Sequence, residues 1–212
     1  MTQETKINNS ELGLERIVFF SDAVMAIAIT LLAIDLKLPE IVGVITSNDL
    51  QAMLSALTPR IMSFVISFVV IGVYWTSHHR YFTYIKSYDN VLIMLNMLFL
   101  GFIAVMPFVA SILGQFAYLP IGVISYAAAV AATGFAISGL WWYATAGHRL
   151  VDADLDEDLI RSRRLIALIV PVIFLLSIPF ALISPWLGLT IWWVAPLISL
   201  ILQRFTVRRR RR

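Results

Sequence analysis

The sequence contains no cysteine among its 212 residues, and charged side chains make up only 14% of it. The missing cysteines exclude disulfides, cysteine-ligated zinc and cysteine nucleophiles. The charged fraction is far below the roughly 25% of an average soluble domain. Hydrophobic residues make up 60% of the chain and the mean hydropathy is +0.86. A soluble fold of this composition would expose large apolar patches, so the composition indicates an integral membrane protein.

Motifs for catalysis and for resident metals are also missing from the sequence. It contains no Gly-rich phosphate loop, nucleophile elbow or paired-carboxylate motif, and its three histidines form no i, i+4 metal pair. The acidic run 152–158 departs from a calcium-binding EF-hand loop, because Glu157 and Arg163 replace its obligatory glycine and glutamate. We therefore predict no enzyme activity, no cofactor and no metal site.

Long apolar runs dominate what the sequence does contain. A helix needs about 20 apolar residues to cross roughly 30 Å of hydrocarbon, and six runs meet this length, at 16–38, 59–83, 90–113, 119–146, 163–183 and 186–205. They do not alternate polar and apolar residues as the strands of a membrane barrel do. The predicted fold is all-α with six transmembrane helices. The predicted domains are an N-terminal segment at 1–15, a transmembrane domain at 16–205 and a basic tail at 206–212.

The basic residues predict the orientation of these helices. If six helices alternate across the membrane, 14 of the 16 lysines and arginines fall on the side that holds both termini. The other side holds only Lys37 and Arg60. This asymmetry predicts that both termini lie in the cytoplasm. The five arginines at 208–212 follow the last helix directly, which favours contact with anionic membrane lipid over nucleic acid.

A carboxylate lies inside the first apolar run. Asp22 needs a polar partner there, because a charge in the membrane is costly. Trp75 and His79 lie at the same membrane side and share one face of the second helix, and both ring N–H groups can donate to a carboxylate. We predict an interhelical polar cluster of Arg16, Ser21, Asp22, Trp75 and His79. From the residues alone, this cluster is a structural clasp, a proton relay or a catalytic group, and the clasp is favoured.

Beyond Asp22 the first helix is apolar. Ile27, Leu31 and Ile34 follow i, i+4, i+7 spacing and form one stripe, with Thr30 beside it. Asp35 comes directly after this stripe. The pattern alone is compatible with lipid contact, core packing or a pore.

The motif Arg16-x-x-x-Phe20-Ser21-Asp22 at the start of a first membrane helix, with Trp75-x-x-x-His79 in the second, resembles the signature of the transmembrane protein 175 family of potassium channels. The resemblance implies a prokaryotic homotetramer in the cell membrane, in which helix one of each subunit lines a central pore. It implies a K⁺ path whose constriction is apolar instead of a carbonyl filter. Because such a ring discriminates only by distorting the hydration shell, we expect modest selectivity for K⁺ over other monovalent cations. The resemblance places Ile27, Thr30, Leu31 and Ile34 of helix one at the positions that line the pore. The resemblance places Arg16, Phe20, Ser21, Asp22, Trp75 and His79 in a hydrogen-bond network, and we expect Asp35 at the extracellular mouth.

Three other functions are compatible with the sequence. A secondary transporter could use the Asp22 and His79 cluster to bind a proton or substrate, although the sequence shows no paired repeats with broken helices. A membrane enzyme and a non-conducting scaffold are the remaining alternatives.

Overall fold

The structure, a computed structural model, describes residues 3–38 and 46–194, with side chains from residue 12 onward. Within these ranges the fold is all-α, as predicted, and contains eight α-helices. The helices are α1 (Gln3–Leu31), α2 (Ser47–Ala56), α3 (Thr58–Phe82), α4 (Asn90–Phe116), α5 (Pro120–Thr145), α6 (Glu157–Ala167), α7 (Ile169–Ile183) and α8 (Pro185–Trp192). A short 3₁₀ segment extends α1 over Leu32–Asp35. After α5 the segment Ala146–His148 leaves the helical path, because Gly147 and His148 have positive φ values of 58° and 54°.

Five stretches of the described chain are long and apolar enough to cross a membrane: Leu12–Asp35, Thr58–Phe82, Asn90–Phe116, Pro120–His148 and Glu157–Ile183. They correspond to the first five predicted spans. The predicted sixth span, 186–205, begins in α8 but continues past residue 194, outside the described residues. The predicted tail at 206–212 also lies outside them.

The helix boundaries differ from the predicted ones at three places. Helix α1 begins at Gln3 and runs through the predicted boundary at residue 16 without a break. Helix α2 was not predicted, and it is started by a capping box in which the Thr46 hydroxyl and the Asp49 carboxylate bond each other's backbone N–H groups. The fifth span starts at Glu157 instead of residue 163, because the Asp156 carboxylate caps α6 by accepting from Asp158 N.

Helices α6 and α7 are separated by one residue, Leu168, three positions before Pro171. Proline lacks an N–H, so the carbonyl of Ala167 loses its usual helical donor. The Ser138 hydroxyl of α5 donates to Gly134 O at 2.7 Å and also lies 3.2 Å from the Ala167 oxygen, so its single hydrogen is shared and replaces the missing donor only in part. A Cβ on Gly134 would lie only 2.8 Å from the Pro171 ring. The glycine therefore allows α5 and α7 to approach closely at this proline.

Helix α5 lies at the centre of the bundle, between α4 and α7, and 61% of its membrane span is buried. Its tyrosine and carbonyl groups also bond α3: the Ser67 hydroxyl donates to Tyr126 Oη at 3.0 Å, and the Tyr74 hydroxyl donates to Val130 O at 2.7 Å. Helix α1 packs on the opposite side of the bundle, against α3 and α4. It is therefore a peripheral helix in the single subunit.

Two connections meet at the end of the bundle that is rich in basic residues. The α3–α4 connection bonds the α5–α6 connection through Lys86 N and Leu150 O at 2.8 Å. Asp89 caps α4 by accepting from Leu92 N at 2.8 Å and also accepts from the Tyr143 hydroxyl at 2.6 Å. The Tyr143 bond, followed by the Leu92 bond, lowers the pKa of the Asp89 carboxyl. These contacts fix the ends of α4 and α5 to each other.

Candidate functional site

Helix α1 has one covered face and one uncovered face. Ser21, Met25, Ala28 and Leu32 follow helical spacing and are 0–4% exposed, because α3 and α4 pack on them. The predicted pore stripe lies on the other face, where Ile27, Leu31 and Ile34 are 59%, 42% and 53% exposed. The subunit therefore leaves about half of the surface of this apolar stripe uncovered.

The C-terminal end of the stripe lies in the 3₁₀ segment. Residues three apart eclipse each other in a 3₁₀ helix, so the change from α to 3₁₀ geometry at Leu32 brings Ile34 above Leu31. Thr30 is exposed beside them, and its hydroxyl donates to Ile27 O at 2.8 Å. The threonine hydroxyl hydrogen therefore serves the helix backbone, and only its oxygen lone pairs face outward.

Asp22 and Trp75 join α1 to α3. Trp75 Nε1 donates to Asp22 Oδ1 at 2.9 Å, and the Trp75 ring stacks on the His79 ring with centroids 5.8 Å apart. Asp22 is half-buried and Trp75 is 42% exposed. The carboxylate thus has the indole partner that the predicted cluster supplies.

Ser21 belongs to a separate, buried chain of hydrogen bonds that reaches α4. Asn96 Nδ2 donates to Ser21 Oγ at 2.9 Å, and Ser21 Oγ donates to Ile17 O at 2.8 Å. His78 Nε2 lies 3.0 Å from Asn96 Oδ1. Since the Asn96 oxygen can only accept, His78 carries its proton on Nε2. The chain therefore runs from His78 through Asn96 to the backbone of α1.

His78 and Asn96 are absent from the predicted network. His78 is fully buried and its ring stacks between Phe82 and Phe99, with centroid separations of 4.3 and 5.6 Å. Asn96 is also fully buried. It is the one amide within the apolar run 91–110, and this isolated polar residue is a signal of an interhelical contact that the sequence does contain.

The three remaining predicted network members lie at the surface of the subunit. Arg16, Phe20 and His79 are exposed. Within residues 12–38 and 46–194, neither the Arg16 guanidinium nor the His79 imidazole forms a hydrogen bond or ion pair with the Asp22 carboxylate. The structure therefore divides the predicted cluster into the Asp22–Trp75 pair, the buried Ser21 chain and an outward-facing group.

Asp35 lies at the far end of α1 in a small cleft. Arg60 and Ser63 of α3 line the same cleft, together with Ser111 of α4. Asp35 and Arg60 are both half-buried, and no direct ion pair joins them in the described chain. The Ser63 hydroxyl donates to Ala110 O at 2.6 Å and holds α3 to α4 beside the cleft. The carboxylate expected at a pore mouth therefore shares its surroundings with a guanidinium.

The described residues contain no group of three or more histidine, aspartate or glutamate side chains that could hold a metal ion. The candidate site is helix α1, which has one exposed apolar face and is fixed to α3 and α4 by polar contacts.

Comparisons with known proteins give a consistent match. The family model described as the endosomal/lysosomal potassium channel TMEM175 matches residues 16–107. A protein of Streptomyces collinus named as a potassium channel is 34% identical over 154 residues, which is 71% of this chain and 73% of that protein. A protein of Chamaesiphon minutus, also named as a potassium channel, is 31% identical over 188 residues, 87% of this chain and 91% of that protein. A crystal structure described as a lysosomal potassium-selective channel TMEM175 homolog from Chamaesiphon minutus superposes with a TM-score of 0.75 and 25% identity, over 89% of this chain and 97% of that one.

Proposed function

The chain belongs to the TMEM175 family, and on that premise we propose that it is a potassium-selective cation channel in which α1 of each subunit of a homotetramer lines the pore. The observation that carries the proposal is the uncovered apolar stripe on α1. Ile27, Leu31 and Ile34 lie on the face of a peripheral helix that the subunit itself leaves open.

Closed symmetry would turn this stripe into a pore lining. In a cyclic assembly each stripe residue appears once per subunit, so four copies of Ile27 or Leu31 form a complete ring. Apolar rings can close a pore by excluding water. We propose that Ile27 forms the narrowest ring or shares it with Leu31, and that Thr30 adds a ring of hydroxyl oxygens.

The physical basis of the selectivity is incomplete dehydration. A cation that passes an apolar ring must distort its water shell, and K⁺ holds its water less tightly than Na⁺ does. A tenfold preference requires a barrier difference of only about 1.4 kcal/mol. An apolar ring can supply a difference of that size without coordinating the ion. This mechanism predicts selectivity that is modest.

The polar network would set the rotation of α1. The Trp75–Asp22 and Asn96–Ser21 hydrogen bonds hold α1 against α3 and α4, and these contacts turn Ile27 away from the bundle. Three exposed residues lie near Asp22. Arg16 and Phe20 are close to it along α1, and His79 is on α3, across the α1–α3 contact. We propose that they contact the neighbouring copy and complete the network there.

The proposed location is the cell membrane, with both termini in the cytoplasm and Asp35 near the extracellular mouth. The distribution of the 14 basic residues and the apolar helices supports this orientation. The proposed partners are other copies of the chain, membrane lipid, K⁺ and other monovalent cations, with no cofactor.

The test is cation flux through the purified full-length protein in liposomes that hold K⁺ inside and Na⁺ outside. We expect a rapid K⁺ efflux that exceeds Na⁺ influx, with discrete current steps in planar bilayers. Ile27→Asn should lower the K⁺/Na⁺ ratio because an amide ring keeps water in the constriction. Leu176→Asn is the matched control, since Leu176 of α7 is 57% exposed and Ile27 is 59% exposed. Flux without current steps would indicate a transporter, and an unchanged ratio in Ile27→Asn would remove Ile27 from the constriction.

A further inference from the structure

One arginine at the basic end of the bundle is fixed in place without an acidic partner. The Arg164 guanidinium donates to Thr145 Oγ1 twice, from Nε at 3.1 Å and from Nη2 at 2.8 Å. Its central carbon lies 5.4 Å from the centroid of the Trp142 ring. Arg164 is half-buried, so its charge is held in a defined position between α5 and α6.

The surroundings of Arg164 leave its charge uncompensated. The Thr145 hydroxyl is neutral and already donates to Trp141 O at 2.7 Å. Among the described residues, no aspartate or glutamate forms an ion pair with Arg164. The last acidic residue at the start of α6 is Asp158, which lies about 9 Å from Arg164 along the helix axis. A half-buried charge of this kind is stabilised by an anion that approaches from outside.

Neighbouring arginines are arranged differently. Arg149 donates to the Tyr143 hydroxyl at 3.3 Å, and that hydroxyl bonds the Asp89 carboxylate. Arg163 lies over the Tyr84 ring, at 5.7 Å from its centroid. Arg161 is exposed to solvent. Arg164 is therefore the arginine that combines a braced guanidinium with an adjacent, half-exposed tryptophan.

The position along the chain places Arg164 at the surface of the membrane. The apolar part of the fifth span begins directly after it, at residue 165. Trp142 is 50% exposed on the outside of α5, and tryptophan is enriched where lipid headgroups meet the hydrocarbon. The free edge of the guanidinium thus lies at headgroup depth, where phosphate groups are the abundant anions.

We propose that Arg164, braced by Thr145 and flanked by Trp142, binds the phosphate of an anionic phospholipid in the leaflet at the basic end of the bundle. The guanidinium supplies the charge and the donors, and Trp142 packs on the upper part of the acyl chains. The site requires only that the protein lies in a membrane, so it stands or falls independently of ion conduction.

The experiment compares lipid binding to the purified full-length protein in neutral detergent, by native mass spectrometry and thermal unfolding. Phosphatidylglycerol should bind and raise the unfolding midpoint more than phosphatidylcholine does. Arg164→Gln should weaken phosphatidylglycerol binding by about tenfold or more, because hydrogen bonds to a charged group are lost. Arg161→Gln removes the same charge from the same helix and should change the binding by less than about twofold, as expected for an exposed charge.

Four outcomes would overturn the proposal. Equal effects of the two lipids on the wild-type protein would show that no anionic headgroup is recognised. Equal losses in Arg164→Gln and Arg161→Gln would show diffuse attraction instead of a site. The same stabilisation by inorganic phosphate alone would assign the site to a soluble anion. If Arg164→Gln does not fold, Arg164→Lys replaces it, and undiminished binding in that variant would exclude recognition by the guanidinium fork.

Discussion

Replacing Asn96 with leucine is expected to loosen α1 from the bundle, although leucine suits the apolar surroundings. Asn96 donates to Ser21 Oγ at 2.9 Å and accepts from His78 Nε2 at 3.0 Å, and all three side chains are fully buried. The substitution leaves the His78 N–H without an acceptor, and a buried unsatisfied group costs about 1–3 kcal/mol. Ser21 keeps its bond to Ile17 O. Interhelical hydrogen bonds in membranes average only about 0.6 kcal/mol, so the lost Asn96–Ser21 bond adds little to this cost. We expect a total loss of about 1–3 kcal/mol.

The assay is equilibrium unfolding of the purified protein in mixed detergent. Met94→Leu is the control, because Met94 lies on the same helix and is 71% exposed; it should change the unfolding free energy by less than about 0.5 kcal/mol. The double variant His78→Phe/Asn96→Leu should recover most of the loss, since replacing both partners with apolar groups of similar shape is nearly neutral. If Asn96→Leu is as stable as Met94→Leu, the buried chain does not hold α1 and the reasoning is refuted.

Two further predictions concern the cleft that Asp35 shares with Arg60. Arg60→Gln should raise single-channel K⁺ conductance at low salt, because the Asp35 carboxylate then attracts cations without a nearby positive charge, and the gain should vanish near 1 M salt, where screening acts within about 3 Å. Asp35→Asn should lower the low-salt conductance, and the double variant should return close to the wild-type value. Conductance that ignores Arg60→Gln at every salt concentration would exclude Arg60 from the mouth.

The apolar spans were predictable from sequence because hydrocarbon imposes a minimum length on every membrane helix. Helix α2 was not predicted, although Thr46-x-x-Asp49 fits a capping box. The polar residues around this motif do not indicate a packed helix. The break near Pro171 is accommodated by Ser138 and Gly134 of another helix. Such compensation between distant segments is not visible in a local pattern.

The contacts of the candidate site were predictable from the sequence only in part. Asp22 and Trp75 could be placed together because the start of the first span and the end of the second lie at the same side of the membrane, and because the carboxylate needs the N–H that the indole donates. The choice between His78 and His79 could not be made, because adjacent residues face different sides of a helix. The i, i+4 spacing from Trp75 favoured His79, whereas the buried partner of Asn96 is His78. Deciding between them required the rotation of α3 against α4.

The central claim is that the uncovered stripe of α1 lines the conduction path, and the absence of cysteine from the chain allows a direct test. Ile27→Cys is introduced into the otherwise unchanged protein, and K⁺ current is recorded before and after silver ions are added, with Leu176→Cys as the control at a comparably exposed position of α7. The account predicts that silver blocks Ile27→Cys and leaves the wild-type protein and Leu176→Cys conducting. Unblocked K⁺ current through Ile27→Cys, or an equal block of both variants, would contradict it.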